Sequence, residues 1–413
     1  MKIFKALTLS LIILLSFPAH AENGINSPYT RFGFGQLSSM ETGTSKSMGG
    51  TGIGVHNNNQ INMLNPASYA AVDTLTFLLD IGTSLSNTYL AENNVSMNAL
   101  NTTFDYLAMQ FRLVPRLGMT IGMMPFSNIG YNFSNTETIY DDEDETVTAT
   151  NTYLGSGGLR QITAGLGYNP FGGLSIGANF SYIYGEVYHY VHNQYSDASA
   201  TTHARQYLAD LSTYALDLGL QYQFTAGKNS FTLGATYRPG HPIDDETYVI
   251  EVTSANDTIN RSHTSLPTQY GVGASYSYDN RLTIAADYSV YQYSTVDLFG
   301  VKGVDSQRAS IGLEYIPEHI SRKIFKRARY RAGLHCATAH YAINGQQGPT
   351  EFGAIIGIGL PIMNRWNGKS IVNISGQYIH VRPNTPGMIT ENSLRLNIGL
   401  SFNETWFNKW KVQ

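Results

Sequence analysis

The chain has 413 residues, 26 Lys and Arg against 30 Asp and Glu, and a formal charge of −4, with only 14% of positions charged. Charge this sparse argues against a soluble exported domain, where about a quarter of residues are charged, and the mildly acidic balance argues against a nucleic-acid partner. Past residue 21 no apolar run approaches the roughly 20 residues that a membrane helix needs, while 40 Gly, 28 Tyr and 18 Phe suit strands and turns.

The leader comes first. Lys2 and Lys5 precede an apolar stretch from Leu7 to Phe17, and Ala19-His20-Ala21 is a small-x-small cleavage site before Glu22. Residues 1–21 therefore read as a secretory signal peptide. No cysteine follows that site directly, and Cys336 is the single one in the chain, so neither lipid attachment there nor an internal disulfide framework is expected. Losing Lys2 and Lys5 with the leader moves the formal charge from −4 to −6.

Residues 22–72 contain Gly33, Gly35, Gly43, Gly49, Gly50, Gly52 and Gly54 and lack sustained alternation. The segment is too polar for lipid, where unpaired backbone groups are costly. It is expected to sit inside a barrel as a plug or hatch, with a periplasmic tether as the alternative. Gly50-Thr51-Gly52-Ile53-Gly54 resembles a phosphate loop only superficially, because the Lys-Ser/Thr ending is missing. Its glycines fit tight backbone packing instead.

From residue 73 to 402 the chain alternates. Leu216, Leu218, Leu220, Tyr222 and Phe224 share one face opposite Asp217, Gly219, Gln221 and Gln223. Ser393 to Phe402 repeats the pattern, with Leu394, Leu396, Ile398, Leu400 and Phe402 opposite Arg395, Asn397, Gly399 and Ser401. We read about 14 strands, near 74–86, 102–113, 117–131, 157–168, 174–190, 208–224, 230–239, 268–278, 281–292, 307–315, 329–342, 351–360, 370–378 and 393–402. Tight turns such as Val114-Pro115-Arg116 and Asp279-Asn280 alternate with long polar connectors near 87–101, 132–156, 191–207, 240–267, 293–306, 343–350 and 379–392. Short periplasmic turns alternating with long outer loops are the layout of a bacterial outer-membrane barrel. The predicted fold class is all-β, a transmembrane antiparallel β-barrel of about 14 strands with an N-terminal plug, set in outer-membrane lipid.

Several constellations bear on chemistry. If the alternation holds, Arg112, Asp217, Asp287, Arg308, Glu314 and Arg395 project into the lumen, to brace the plug or to hold a ligand carboxylate. Gly118, Gly122 and Gly130 mark the third strand as a candidate site for a kink and a lateral gap. Asp141 to Glu145 reads as a solvated acidic loop, its spacing unlike a calcium loop. His189, His192 and His203 fall near another outer loop, and zinc would need a further ligand. No metal, cofactor or enzyme activity is expected, since no nucleophile, acid and base assemble into a catalytic set. Arg322, Lys323, Lys326, Arg327, Arg329 and Arg331 surround a periplasmic connector that could grip acidic lipid headgroups, dock a partner protein or stand in solvent. Residues 403–413 form a tail with Trp406, Phe407 and Trp410 beside Lys409 and Lys411, either an interfacial anchor or a docking element.

Ser47-Met48-Gly49-Gly50-Thr51-Gly52-Ile53-Gly54, followed by Leu64-Asn65-Pro66-Ala67-Ser68, resembles the N-terminal hatch of the FadL/TodX group of outer-membrane transporters. The matching positions are Met48, Gly49, Gly50, Asn65, Pro66 and Ala67. Ser27 to Gly35 and Asn403 to Phe407 look more like a Bacteroidota-like branch of that group. The resemblance implies a hatch inside a Gram-negative outer-membrane barrel and passive uptake of hydrophobic small molecules, such as long-chain fatty acids or hydrocarbons. It also allows a non-transport barrel subunit of an outer-membrane secretion or assembly complex. The tail beyond Phe402 departs from the group's pattern and bears on that choice.

Overall fold

A computed structural model describes residues 24–405, apart from 93–94, 143–144, 198–199, 201, 244–245, 252–256, 260–263, 299–300, 344 and 363–369. The leader and the aromatic residues of the tail lie outside the described residues, as do the side chains of the 141–145 acidic block.

Alternation builds the wall. It comprises β1 (Thr76–Glu92), β2 (Val95–Val114), β3 in two halves (Leu117–Pro125 and Ser127–Asp142), β4 (Glu145–Phe171), β5 (Leu174–Tyr195), β6 (His203–Ala226) and β7 (Asn229–Arg238). It continues through β8 (Thr268–Tyr278), β9 (Leu282–Gln292), β10 (Ser306–Tyr315), β11 (Arg329–Thr338), β12 (Thr350–Pro361), β13 (Ile371–Arg382) and β14 (Thr390–Thr405). Consecutive strands pair antiparallel, and β1 closes on β14 from Thr76↔Thr405 to Ala91↔Thr390. The result is a closed antiparallel barrel of 14 strands.

The faces are inverted relative to a water-soluble barrel. On β6, Leu216, Leu218, Leu220, Tyr222 and Phe224 lie exposed on the outside, whereas Asp217 and Gln221 are buried within. The same holds for Leu394, Leu396 and Ile398 against Asn397 on β14. An apolar belt running round the whole wall is incompatible with water. It fits the hydrocarbon core of a bilayer, which strands cross in about 10 residues.

Several strands run well past that length. β4 has 27 residues, β5 has 22 and β6 has 24. The expected outer connectors at 87–101, 132–156 and 191–207 are thus largely strand. Their Thr, Tyr and Asn residues carry no apolar alternation, yet the Thr and Tyr favour extended backbone and let the pairing continue above the membrane. On the opposite side the turns are tight: Asp279 and Asn280 both have positive φ, +54° and +52°, the geometry of a type I′ hairpin.

The N-terminal segment lies inside the ring. It carries a short helix, α1 (Gly43–Ser47), and a 3-10 turn at Pro66–Ala71 capped by the Asn65 side chain. Its backbone approaches the wall so closely that only glycine fits at several places. A Cβ at Gly177 would overlap the Pro66 carbonyl, and one at Gly333 would overlap the Gly49 nitrogen. In one part of the lumen Ile61 and Met63 pack with Leu78, Tyr106 and Met124. In another Phe34 joins Phe126, Ile129, Leu159, Ile183 and Leu211.

These contacts make a paired prediction. Gly177→Val should lower the temperature at which the barrel loses its compact gel mobility, because plug and wall must separate. Gly376→Val, at an outward position with open space around it, should leave that temperature unchanged.

Candidate functional site: a braced lumen and an interrupted wall

Charged side chains inside a barrel must pair or stay hydrated, and here they pair across the plug. The Asp287 carboxylate accepts the Gly52 N–H at 2.6 Å and the Ile53 N–H at 2.8 Å. Arg308 donates to Glu41 at 2.8 Å, and Lys46 meets Asp105 at 2.8 Å. The Gly43 N–H donates to the Tyr106 hydroxyl, which itself donates to Asp80 at 2.9 Å. Gln221 reaches the Ile53 carbonyl at 2.9 Å, and Asn65 reaches that carbonyl and Leu220's at 2.9 and 3.1 Å. Nearer the chain's start, Ser27 donates to Glu391 and Tyr29 to the Ile389 carbonyl, each at 2.5 Å.

The six lumen candidates separate into groups. Asp287 and Arg308 hold the plug directly. Asp217 pairs within the wall, taking a bidentate pair from Arg238 at 2.5 and 3.0 Å. Glu314 accepts from Arg331 at 2.7 Å and Arg329 at 3.2 Å, while Arg331 also donates to Asn373 at 2.6 Å. Arg112 donates to Thr74 at 2.7 Å, at the end of the barrel that carries the tight turns. Arg395 lies on β14 between outward Leu394 and Leu396, and its Nε is buried without a hydrogen bond.

The motif residues fall on two sides of the lumen. Met48, Gly49 and Gly50 lie against β10 and β11, Gly50 beside the Arg308–Glu41 pair. Asn65, Pro66 and Ala67 lie against β5 and β6, Pro66 facing Gly177 and Gly219. The sequence pattern groups Arg329 and Arg331 with the basic connector. Both open β11, within the strand expected at 329–342, and alternation turns Arg331 inward, where it is 3% exposed. The pattern gives no sign of Glu41, Lys46, Arg238 or Glu391. Glu41 and Lys46 sit in a segment without periodicity, and Arg238 and Glu391 at strand ends. His189 is buried and bonded to Tyr131 at 2.6 Å, apart from any metal-like cluster among the described residues.

A cavity of about 250 Å³ remains in the lumen, lined by Asp217, Arg238, Asp287, Arg308, Glu351 and Glu391 among others. These charges share the lining with apolar and aromatic side chains, among them Leu37, Met40, Ile53, Leu64, Phe126 and Tyr293.

The wall is interrupted between β2 and β3. β3 pairs with β2 from Leu107↔Met123 to Val114↔Leu117 and then breaks at Phe126. Beyond the break β3 pairs with β4 on one side, and on the other with Gln36–Leu37 of the N-terminal segment. The Ser27 N–H donates to the Gly130 carbonyl and the Ser38 N–H to the Phe126 carbonyl, at 2.8 and 2.9 Å. Asn26 bonds Asn101 across on β2 at 3.3 Å. The chain's own N-terminal segment thus stands in the seam between β2 and upper β3. Of the three candidate glycines, Gly130 adjoins the break, whereas Gly118 and Gly122 give room to the Tyr69 carbonyl and the Met63 side chain.

The family model described as BamG matches residues 3–413. Among solved structures the fold is similar to the CymD monoaromatic hydrocarbon channel, at 16% identity and a TM-score of 0.57, covering 92% of this chain and 99% of that one. It is also similar to the Ralstonia pickettii toluene transporter TbuX, at 15% identity and 0.56, covering 89% and 98%. A Pseudomonas aeruginosa FadL homologue matches at 11% identity and 0.58, covering 90% and 100%. The barrel is therefore of the FadL/TodX type, and at these identities the likeness is one of fold. No curated protein matches the sequence.

The bracing can be tested at two points. Arg331 is fully buried against Glu314, so Arg331→Met should destabilise the barrel by about 2 kcal/mol, less than for a carboxylate left wholly unpaired because Glu314 keeps Arg329 at 3.2 Å. Urea unfolding in lipid vesicles measures this, and Glu314→Leu added to Arg331→Met should recover part of the loss. The second point is His340, in the outer loop after β11, whose Nε2 is buried without a hydrogen bond beside Gly33, Tyr293 and Tyr341. Burial lowers its pKa from 6.5 to about 4. A depressed histidine contributes stability that is full above about pH 6.5 and is lost as pH falls toward 4, because the unfolded chain binds the extra proton. Acidification through that window should loosen the outer part of the plug, read as protease cleavage after Arg31, and His340→Gln should flatten the response.

Proposed function

The chain belongs to the BamG family, and from that premise we propose that it is a non-conducting barrel subunit of an outer-membrane protein assembly complex, its lumen held shut by its own N-terminal segment. The observation that carries this reading is the bracing of the plug by Asp287, Arg308, Asp105 and Glu391 on separate strands. Stranding one buried charge costs about 3–5 kcal/mol, and a passive outer-membrane pore has no energy source with which to break several such contacts at once. The charged groups that line the cavity beside its apolar residues add support, since an apolar solute pressed against them would desolvate charges without replacing their partners. The family name points in the direction of barrel assembly. In this reading partners dock on the periplasmic side, where the aromatic and basic residues of the 403–413 tail lie in sequence beyond β14.

A second reading is favoured by a specific observation. The fold is that of proteins described as a monoaromatic hydrocarbon channel and a toluene transporter, and the wall carries an interruption at Phe126. Passive uptake of hydrophobic small molecules would then require the N-terminal segment to leave the seam.

Extraction of tagged protein in mild detergent separates the two. The assembly reading expects a stoichiometric set of partner proteins, several-fold reduced on deleting residues 406–413 while the gel mobility of the barrel is unchanged. Recovery of a lone barrel that carries fatty acids or hydrocarbons, and that speeds their entry into liposomes, would overturn it in favour of uptake.

A further inference from the structure

The 316–328 connector joins β10 to β11 on the periplasmic side and contains α2 (Ile324–Arg327). Its surface is unusual for a turn in water. Ile320 is 95% exposed and Phe325 66%, with Ile324 also exposed, and they interleave with exposed Arg322, Lys323 and Lys326. Lys326 is committed to Glu318 at 2.6 Å, but Arg322 and Lys323 have no ion pair among the described residues. Apolar side chains that project beside unpaired cations are the composition of a segment lying at a membrane interface. Tyr315 and Tyr330, outward at the lower ends of the same two strands, stand at the level where interfacial aromatics collect.

Directly above, the outer wall is concave. An apolar groove of about 990 Å³ runs from β9 across β10 to β14 and on to β1 and β2. Its floor is small, with Ala332, Ala354 and Gly376 on β11, β12 and β13, and its walls are Leu313, Leu334, Ile356 and Leu394. The inner surface of the same stretch touches the plug, for a Cβ at Gly312 would overlap the Met48 carbonyl oxygen. The plug therefore backs the wall where it is hollow outside. Leu334 lies five residues beyond Arg329, about 16 Å along the strand and about 13 Å in height at the usual tilt. That is close to half of a hydrocarbon core of about 30 Å.

We propose that this groove and the connector below it form one binding site for an anionic phospholipid of the periplasmic leaflet. The acyl chain lies over Ala332, Ala354 and Gly376, and the phosphate meets Arg322 and Lys323. The length match fixes a lipid anchored at the connector, and the two uncommitted cations select a negatively charged headgroup over a zwitterionic one. The site is independent of whether the barrel works alone or in a complex.

The test uses full-length protein in nanodiscs of mixed phosphatidylethanolamine and phosphatidylglycerol, released and weighed by native mass spectrometry. One phosphatidylglycerol should be retained per barrel in preference to phosphatidylethanolamine. Arg322→Gln with Lys323→Gln should lower that retention on the order of tenfold, from the loss of two charges near the surface. Gly376→Trp should lower it by filling the groove without touching a charge, and Leu218→Trp on the far wall should not. Unchanged gel mobility on heating checks that each variant is folded. Retention without headgroup preference, or retention indifferent to both changes, would overturn the proposal. So would a double variant that loses a bound protein but keeps its lipid, which would assign the cations to a protein partner.

Discussion

A bilayer core offers no water to a backbone N–H or C=O, so every such group crossing it must find a partner within the protein. The rest of this structure depends on that constraint. It forces the sheet to close, β1 onto β14, and it makes the break at Phe126 a place where closure must be completed by other means. The N-terminal segment answers it there. Gln36 and Leu37 continue the ladder on the open edge of β3, and Ser27 and Ser38 donate to carbonyls that β2 leaves unpaired. Plug and wall are in this sense one hydrogen-bonded unit.

The lumen follows from the same scarcity of solvent. A charge enclosed in protein is tolerated when a partner is close and further hydrogen bonds complete its shell. Arg331 illustrates the solution, with Glu314 and Asn373 both in reach. So does Asp287, whose carboxylate takes two backbone N–H groups of the plug where its glycines allow close approach. An arrangement of this kind selects one position of the plug among many.

Much of the wall was legible in the sequence. The run Leu216 to Phe224 declared its outward face, and the Asp279-Asn280 dipeptide declared a hairpin, because period and turn chemistry are local properties. The glycines of Gly50-Thr51-Gly52-Ile53-Gly54 pointed to close backbone packing, whereas Met48-Gly49-Gly50 and Asn65-Pro66-Ala67 spoke only through their resemblance to a hatch. What stayed hidden was long-range or unpatterned. The outer halves of β4, β5 and β6 are rich in polar residues, so no apolar alternation betrays them. Glu41 and Lys46 meet the wall only once an irregular segment is threaded through the ring. Arg331 read as part of a basic cluster until the register of β11 against β10 set it opposite Glu314. The seam was suggested by glycines, but its occupant, residues 24–38, has no signature that connects it to β3.

The central claim is that the plug stays in place while the protein works, and a disulfide lock tests it most directly. Asn26 and Asn101 face each other across the seam at 3.3 Å. Cysteines at both positions, with Cys336→Ser, would tie the N-terminal segment to β2. The measurement is the level of assembled outer-membrane proteins in cells carrying the oxidised, locked barrel as their sole copy. A plug that is structural predicts levels equal to those of the reduced protein. Levels that collapse on oxidation and recover with reductant would contradict the account, and would mean that the segment must leave the seam.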